Sequence, residues 1–146
     1  MKRCSICIVL VIYSILAGCA ATGTKYTEME SSLPSIESGM GRIFFYRPGK
    51  TWGAAIRPKV WLNGEVIGES TPGGFFYVDN KPGDYQVSLT SELEKSLTFT
   101  LDEGQTRYVR LSVGLGVVVY RVFPELKDEL EALPELKTLS YIGGNP

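Results

Sequence analysis

The chain has 146 residues, with 15 basic and 16 acidic side chains and a net charge of -1. Proteins that bind nucleic acids normally present a positive surface to the phosphates, so we expect no nucleic-acid partner. The sequence contains no histidine, the commonest general base and the commonest metal ligand. Composition therefore argues against histidine-dependent catalysis and against a histidine-ligated metal.

The first 18 residues have the pattern of a bacterial export signal. Lys2 and Arg3 give a positive start, residues 6–16 are mostly apolar, and small residues follow. The apolar stretch is shorter than the roughly 20 residues that a membrane-spanning helix needs. The sequence therefore predicts a signal peptide over residues 1–18 in preference to a transmembrane helix.

The end of this segment, Leu16-Ala17-Gly18-Cys19, resembles the lipobox of bacterial lipoproteins. The resemblance implies cleavage between Gly18 and Cys19, with covalent diacylglycerol and N-acyl lipid on Cys19, and it implies no other cofactor. Ala20 stands where an aspartate would favour retention in the inner membrane. The resemblance thus implies an outer-membrane lipoprotein whose domain faces the periplasm. Stable anchoring needs more than one acyl chain, and a fully processed lipoprotein cysteine carries three.

The cysteine positions predict a mature domain without disulfides. Cys4 and Cys7 lie in the predicted signal peptide, and Cys19 would be acylated. An oxidising compartment would permit disulfides, but this domain must be stabilised by hydrophobic packing. Residues 19–41 are rich in Ser, Thr, Gly and Glu, and we predict that they form the lipidated N terminus and a flexible tether. The alternative for part of this segment is that it docks on the domain.

Residues 42–146 have the sequence pattern of a β domain. Alternating apolar and polar residues, or short runs of β-branched and aromatic residues, are separated by turn signals. The predicted strands cover residues 42–47, 59–62, 65–68, 74–78, 85–90, 96–101, 105–113 and 117–122. Asn63-Gly64 predicts a tight hairpin, because both residues tolerate positive φ. Seven or eight short strands predict a mainly β fold, a single antiparallel β-sandwich.

The C-terminal part departs from the strand pattern. Leu126, Leu130 and Leu133 have helical spacing, Pro124 suits a first helical turn, and acidic residues follow it. We therefore predict a short helix at about residues 124–137. Because an apolar stripe must be buried, we expect these leucines to dock on the sandwich.

Five segments, residues 41–48, 58–64, 73–78, 82–85 and 104–110, form an ordered set of motifs. In this order they resemble a family of small bacterial lipoproteins that is catalogued only as a domain of unknown function. The turn Pro82-Gly83-Asp84-Tyr85 is also typical of transthyretin-like and carbohydrate-binding-like sandwiches. The resemblance covers roughly residues 41–123 and implies a β-sandwich in the cell envelope. It implies no activity and supplies no functional residues.

The loop over residues 48–58 is the main candidate for a binding surface. It carries Lys50, Trp52 and Arg57 around small residues, and a tryptophan beside basic groups suits an anionic glycan, a peptide or a lipid headgroup. The alternative is that Trp52 covers one end of the core, since large aromatic side chains are usually mostly buried.

Two further features of the strands bear on the surface. Trp61 is out of phase with its apolar neighbours, so we expect it on the opposite face of its sheet and include it in the candidate surface. Four arginines lie on predicted strands, and we expect them to pair with acidic neighbours in preference to forming a basic stripe. They are Arg47, Arg107, Arg110 and Arg121.

No arrangement of residues in the sequence indicates catalysis, since there is neither a histidine nor a thiol to form the usual nucleophile and base pair. We therefore expect a protein that is not an enzyme and has no metal. The favoured function is an accessory lipoprotein that is anchored to the membrane by its lipid and docks a protein of an envelope assembly. The alternative is a non-catalytic module that binds a glycan or another ligand, with an aromatic site near Trp52.

Overall fold

The computed structural model describes residues 21–49, 53–89, 96–115 and 120–143. Nine strands form two sheets: β1 (Gly41–Arg47), β2 (Lys59–Leu62), β3 (Glu65–Glu69), β4 (Gly74–Asn80), β5 (Gly83–Ser88), β6 (Leu97–Leu101), β7 (Thr106–Leu115), β8 (Tyr120–Lys127) and β9 (Ser140–Tyr141). The helical elements are α1 (Tyr26–Met29), a 3₁₀ turn (Glu30–Ser32) and α2 (Glu129–Leu136). The prediction of a mainly β, two-sheet fold is confirmed.

The larger sheet, sheet A, has the strand order β8-β7-β1-β4-β9, and sheet B has the order β3-β2-β5-β6. β1 is antiparallel to β4 but parallel to β7, and β9 is parallel to β4. The prediction of an antiparallel sandwich is therefore wrong for sheet A, which is mixed. The chain leaves sheet A after β4, forms β5 and β6 in sheet B, and returns, and such a crossover makes parallel pairing possible. Alternation of side chains records burial and carries no information on strand direction.

The hairpin between β2 and β3 forms as the sequence predicts. Asn63 has φ 48° and Gly64 has φ 84°, the left-handed values that a tight two-residue turn requires. A bulge lies before this turn, between Val60 and Trp61, where the pairing register with β3 shifts by one residue. This turn and bulge fix which face of sheet B each side chain of β2 occupies.

The main core lies between the two sheets. Aromatic and β-branched side chains from both inner faces meet there, and Phe45 and Phe76 stack with ring centroids 5.1 Å apart. The buried members of this core are Ile43, Phe45, Val60, Leu62, Phe76, Val87, Leu89, Phe99, Leu101, Val109 and Leu111. Val87, Leu89, Phe99, Leu101, Val109 and Leu111 are apolar positions of strands whose sequence alternates between apolar and polar residues.

A second core covers the outer face of sheet A. Its strand residues pack against α1 and α2, so all seven residues of β1 are buried. The buried members are Tyr26, Phe44, Tyr46, Phe75, Tyr108, Ala132, Leu136 and Leu139. Of the segment predicted as a tether, residues 21–32 dock on the domain and are not flexible, because Tyr26 is buried against Phe44 and Phe75. A single aromatic residue without a repeating pattern gave no sign of this docking.

The C-terminal helix is shorter than predicted and begins later. Residues 124–127 belong to β8, and α2 begins only at Glu129. β7 offers a partner to every residue of β8, and Pro124 is tolerated because β8 lies at the edge of the sheet. Among the described residues, no helix is long and apolar enough to cross a membrane.

The face by which α2 docks also differs from the prediction. Ala132 and Leu136 are fully buried against sheet A, and Leu133 is partly buried. Leu126 and Leu130 were expected in the docking stripe, but they are 38% and 88% exposed. The later start of the helix rotates its apolar face onto a different set of residues.

Candidate functional site

The predicted lipidation site and half of the predicted binding surface lie outside the described residues. These positions are Gly18 and Cys19, with the rest of the predicted signal peptide, and Lys50 and Trp52. Two members of the candidate surface, Arg57 and Trp61, are described. The structure places them in different surroundings.

Arg57 lies in the loop between β1 and β2, beside a buried arginine. Arg47, the last residue of β1, is 1% exposed. Burial lowers the pKa of the Arg47 guanidinium, and the positive charge of Arg57 lowers it further. Arg57 therefore contributes positive charge at the end of the sandwich where this loop lies.

The Arg47 guanidinium holds the described part of this loop. Its Nη1 donates to the carbonyl oxygens of Ile56 at 2.6 Å and Ser70 at 2.9 Å, and its Nη2 donates to that of Gly53 at 2.7 Å. Gly53 adopts φ 73°, which glycine permits without strain. The expectation that Arg47 pairs with an acidic neighbour is wrong: two backbone carbonyls of the loop between β1 and β2, and that of Ser70 after β3, solvate the charge.

Trp61 lies on the outer face of sheet B, as the alternation predicts. Val60 and Leu62 are buried in the main core, whereas Trp61 is partly exposed opposite Val66 and Ser88. Apart from Val66, the other described side chains of this face are polar. It contains the cross-strand pairs Gln86–Thr98 and Asp84–Thr100, with a hydrogen bond of 2.7 Å from Thr100 Oγ1 to Asp84 Oδ1. The outer face of sheet B is thus a polar surface with one aromatic side chain.

Sequence reasoning did not identify a polar cluster between α2 and sheet A. Arg110 donates through Nε and Nη2 to the two carboxylate oxygens of Glu135, at 2.7 and 2.9 Å. Its Nη1 donates to Ser112 Oγ at 2.6 Å and lies 3.6 Å from Glu125 Oε2. The cluster lines an open cleft of about 310 Å³ together with Lys127 and Glu131. For Arg110, the expectation of acidic partners is confirmed.

The electrostatics of this cluster favour a structural role over a catalytic one. The hydrogen bonds to Glu135 raise the pKa of Arg110. Ser112 Oγ accepts from Arg110 and donates to Glu125, so both capacities of the hydroxyl are engaged. An oxygen that already accepts from a guanidinium is a poor nucleophile. The signal was absent from the sequence because these residues come from three separate elements.

The Tyr46 hydroxyl lies in the same region. It is buried and has no hydrogen-bond partner among the described residues. Burial raises its pKa above the usual value near 10, and the negative charge of Glu135 raises it further. Such a hydroxyl remains protonated at neutral pH.

A second arginine clamp fixes the chain that leads into β1. Arg42 donates to both carboxylate oxygens of Asp79, each at 2.6 Å, and to the carbonyl oxygen of Pro34 at 2.9 Å. Its guanidinium lies 4.4 Å from the ring centroid of Tyr77. The hydrogen bond to Asp79 is the main reason that the pKa of Arg42 is raised. In the part of the chain that the structure describes, no group of three or more metal-ligating side chains could hold an ion.

Comparison with known proteins identifies a family but no activity. The chain is 28% identical over 118 residues to an uncharacterized protein of Haemophilus influenzae, a match that covers 80% of this chain and 70% of that protein. No solved structure gives a significant match. The profile of DUF2846, described as a protein of unknown function, matches residues 37–122, which run from the turn before β1 into β8. This match spans more than half of the chain, and the protein therefore belongs to the DUF2846 family.

Proposed function

We propose that this protein is a lipoprotein anchored by Cys19 in the bacterial outer membrane, with a periplasmic sandwich that binds another envelope component. The observation that carries the proposal is the sequence Leu16-Ala17-Gly18-Cys19 behind a positive start and a short apolar run. A domain without further cysteines follows this site, as expected for a chain whose one remaining thiol is acylated.

The state of the ionisable groups supports binding in preference to catalysis. Arg42, Arg47 and Arg110 each join separate elements, through Asp79, through loop carbonyls and through Glu135 respectively. A general acid or base must be able to exchange its proton with a substrate, whereas these groups are occupied in holding the fold.

One surface of the described chain suits a protein partner. β8 lies at the edge of sheet A, so one side of its backbone is not covered by another strand of that sheet. Leu126 on this strand, opposite Val109, and Leu130 on the following helix are exposed apolar side chains. An edge strand beside apolar anchors is a common docking site for an added strand or helix. This observation favours an envelope protein as the partner.

Lipidation is tested by the mass of the mature N-terminal peptide from cells that express the full chain. We expect an N-acyl, S-diacylglyceryl Cys19 as the first residue, and partition of the protein into the detergent phase of a Triton X-114 extraction. Cys19→Ser should abolish both results, whereas Cys7→Ser, a matched change in the removed segment, should alter neither. An unmodified Cys19 in the wild type would refute the proposal.

Sorting to the outer membrane has its own test. The substitution Ala20→Asp should move the protein to the inner membrane, whereas Ala20→Ser should leave it in the outer membrane. The distribution is measured by sucrose-gradient separation of the two membranes. Equal distribution of both variants would refute outer-membrane sorting by this residue.

Docking of a protein is tested by photo-crosslinking in cells from position 130, with position 98 on the polar face of sheet B as the control. We expect one dominant protein adduct from position 130 and none from position 98. The adduct should be lost in a Leu126→Glu background if the two exposed leucines belong to one interface. Absence of any adduct from position 130 would refute this docking surface.

A glycan-binding module is the alternative, and Trp61 is the observation that favours it. A partly exposed tryptophan beside hydroxyl and amide side chains can stack on a sugar ring while the neighbours bind its hydroxyls. Binding of the purified domain to isolated peptidoglycan, lost in Trp61→Ala and retained in Thr98→Ala, would support this function. Equal binding by both variants would exclude Trp61 as the contact.

A further inference from the structure

The described fold begins only two residues after the predicted lipidation site. The backbone N–H of Ala21 donates to the carbonyl oxygen of Pro72 at 3.4 Å, and a Cβ on Gly74 would lie 3.3 Å from that of Ala21. Consecutive Cα atoms are about 3.8 Å apart, so at most about 7.6 Å separates the Cα atoms of Cys19 and Ala21. A lipid on Cys19 would therefore hold the domain directly at the headgroups.

The loops around Ala21 define one end of the sandwich, which we call the basic end. The N–H of Gly73 donates to the carbonyl oxygen of Arg47 at 3.0 Å, and Gly49 approaches Gly73 closely. The described part of the loop that Arg47 pins, the start of β2, the end of β3, the last residues of β7 and the first residues of β8 lie at this same end. The end at which the chain joins the fold is thus formed by well-held backbone.

The basic end carries a small positive charge. Along the described part of the loop that Arg47 pins and the adjoining ends of β2, β3, β7 and β8, the charged residues apart from the buried Arg47 are Arg57, Lys59 and Arg121, against Glu69, which leaves a net charge of +2.

The opposite end, which we call the acidic end, consists of the turns before β1, between β2 and β3, before β5, before β7 and before α2. The N–H of Gly39 donates to Glu103 Oε1 at 2.8 Å across two of these turns. The described charged residues here are Glu37, Glu65, Asp84, Asp102, Glu103, Asp128 and Glu129, against Lys81, Arg107 and Lys127. Seven acidic and three basic residues leave a net charge of -4.

We infer that the basic end faces the lipid surface that holds Cys19, and that the acidic end points away from it. This orientation rests on the proposed lipidation. The short connection brings the basic end to the headgroups, where Lys and Arg side chains are attracted to an anionic lipid surface. The β1–β4 ladder of seven residue pairs separates the two ends by about 20 Å, more than two Debye lengths at physiological salt. The two ends therefore meet very different potentials, and only one of them favours contact.

The orientation is tested with the lipidated protein in vesicles of phosphatidylethanolamine and phosphatidylglycerol that contain a headgroup nitroxide. A fluorophore is attached to Ile56→Cys at the basic end or to Asp102→Cys at the acidic end. Both positions are exposed. In the processed lipoprotein the introduced cysteine would be the sole free thiol, since Cys4 and Cys7 lie in the predicted signal peptide. We expect the nitroxide to quench the label at position 56 several-fold more strongly than the label at position 102.

A spacer variant is the matched control. Insertion of about 20 Gly and Ser residues between Ala20 and Ala21 gives a root-mean-square reach of about 25 Å, comparable with the length of the domain. The difference in quenching should then largely disappear, although the spacer changes no residue of either end.

Flotation of the vesicles separates the two ways in which the test can fail. If the protein does not float with the vesicles, the proposed lipidation is wrong and the orientation falls with it. If the protein floats but position 56 is quenched no more than position 102, lipidation stands and the orientation is overturned. Quenching that favours position 56 but survives the spacer supports attraction to the lipid surface as the cause of the orientation.

Discussion

The outer faces of the two sheets differ in what covers them. On sheet A, the aromatic side chains of Phe44, Phe75 and Tyr108 are buried under α1 and α2. On sheet B, the hydroxyl and amide side chains face outward, with Trp61 as the one partly exposed aromatic residue. The sandwich therefore has a third layer on one side only. The covered outer face of sheet A therefore contributes to stability, whereas the outer face of sheet B is accessible for contacts.

The N-terminal segment has a structural role in covering the outer face of sheet A. Residues 21–32 were expected to be a spacer, but they seal an aromatic surface that would otherwise meet water. Such a surface left open would be an aggregation hazard. A segment that seals the fold cannot at the same time be a long tether.

The sharpest test of the comparison removes one aromatic ring from the covered face. Phe75→Ala should lower the free energy of unfolding by about 3–5 kcal/mol, because the fully buried ring contacts Tyr26, Phe44 and Tyr141. Thr98→Ala on the open face should change it by less than about 0.5 kcal/mol. Urea unfolding followed by circular dichroism measures both values. Similar losses in the two variants would contradict the asymmetry.

The second test concerns which side of α2 seals sheet A. Leu136→Ala should cost about 2–5 kcal/mol, because Leu136 is fully buried in the second core. Leu130→Ala, the same change at a residue that is 88% exposed, should cost less than about 0.5 kcal/mol. Thermal unfolding of the two variants provides the comparison. A larger loss of stability for Leu130→Ala than for Leu136→Ala would support docking of the helix through the leucines whose spacing predicted it.

A smaller effect is expected at the clamp that holds the N-terminal connection to the covered face. Arg42→Lys keeps the charge but loses the two-pronged contact with Asp79 and the hydrogen bond to Pro34. We expect a loss of about 1–3 kcal/mol. Amide hydrogen exchange should show faster exchange in residues 33–40 than in sheet B. Uniform changes across both sheets would argue against a local clamp.

The smallest effect at neutral pH is expected from Tyr46→Phe. The hydroxyl is buried without a partner among the described residues, so its removal should change the free energy of unfolding at pH 7 by less than about 1 kcal/mol.

In alkaline solution, the stability of Tyr46→Phe should differ from that of the wild type. Burial raises the pKa of Tyr46, so the folded state holds its proton more tightly than the unfolded state. That contribution is fully present below pH 10 and is lost as the pH rises above it. The variant should therefore lose less stability than the wild type between pH 9 and pH 11, as measured by urea unfolding. Parallel losses would show that Tyr46 does not contribute.

The strands could be predicted because each carries its own pattern. β2 was predicted with its observed bounds, β1 and β3 were predicted to within one residue, and the turn between β2 and β3 was named correctly. Tyr108 and Ser112 lie on the outer side of β7, as alternation with the apolar Val109 and Leu111 indicates, but they are buried there. Alternation tells which side of a sheet a residue occupies, and it does not tell whether distant segments later cover that side.

The helix and the polar cluster show the same limit. Residues 124–127 have features of a helical start, but pairing with β7 stabilises them as a strand, a contact that propensity does not include. Arg110, Glu125 and Glu135 meet only because α2 lies across β7 and β8. The spacing of these residues in the sequence does not indicate that α2 lies across β7 and β8.

The pairing of the N-terminal segment has a consequence for the order of folding. Lys25 forms a β-bridge with Ser140, and the Tyr26 N–H donates to the carbonyl oxygen of Leu139 at 3.0 Å. The contact between Lys25 and Thr138 closes a loop of 113 residues. Such long-range contacts carry a high entropic cost and tend to form late. During synthesis from the N terminus, Tyr26 is thus made long before Leu139 and Ser140, with which this segment pairs. We therefore expect the aromatic outer face of sheet A to be the last large surface that becomes buried during folding.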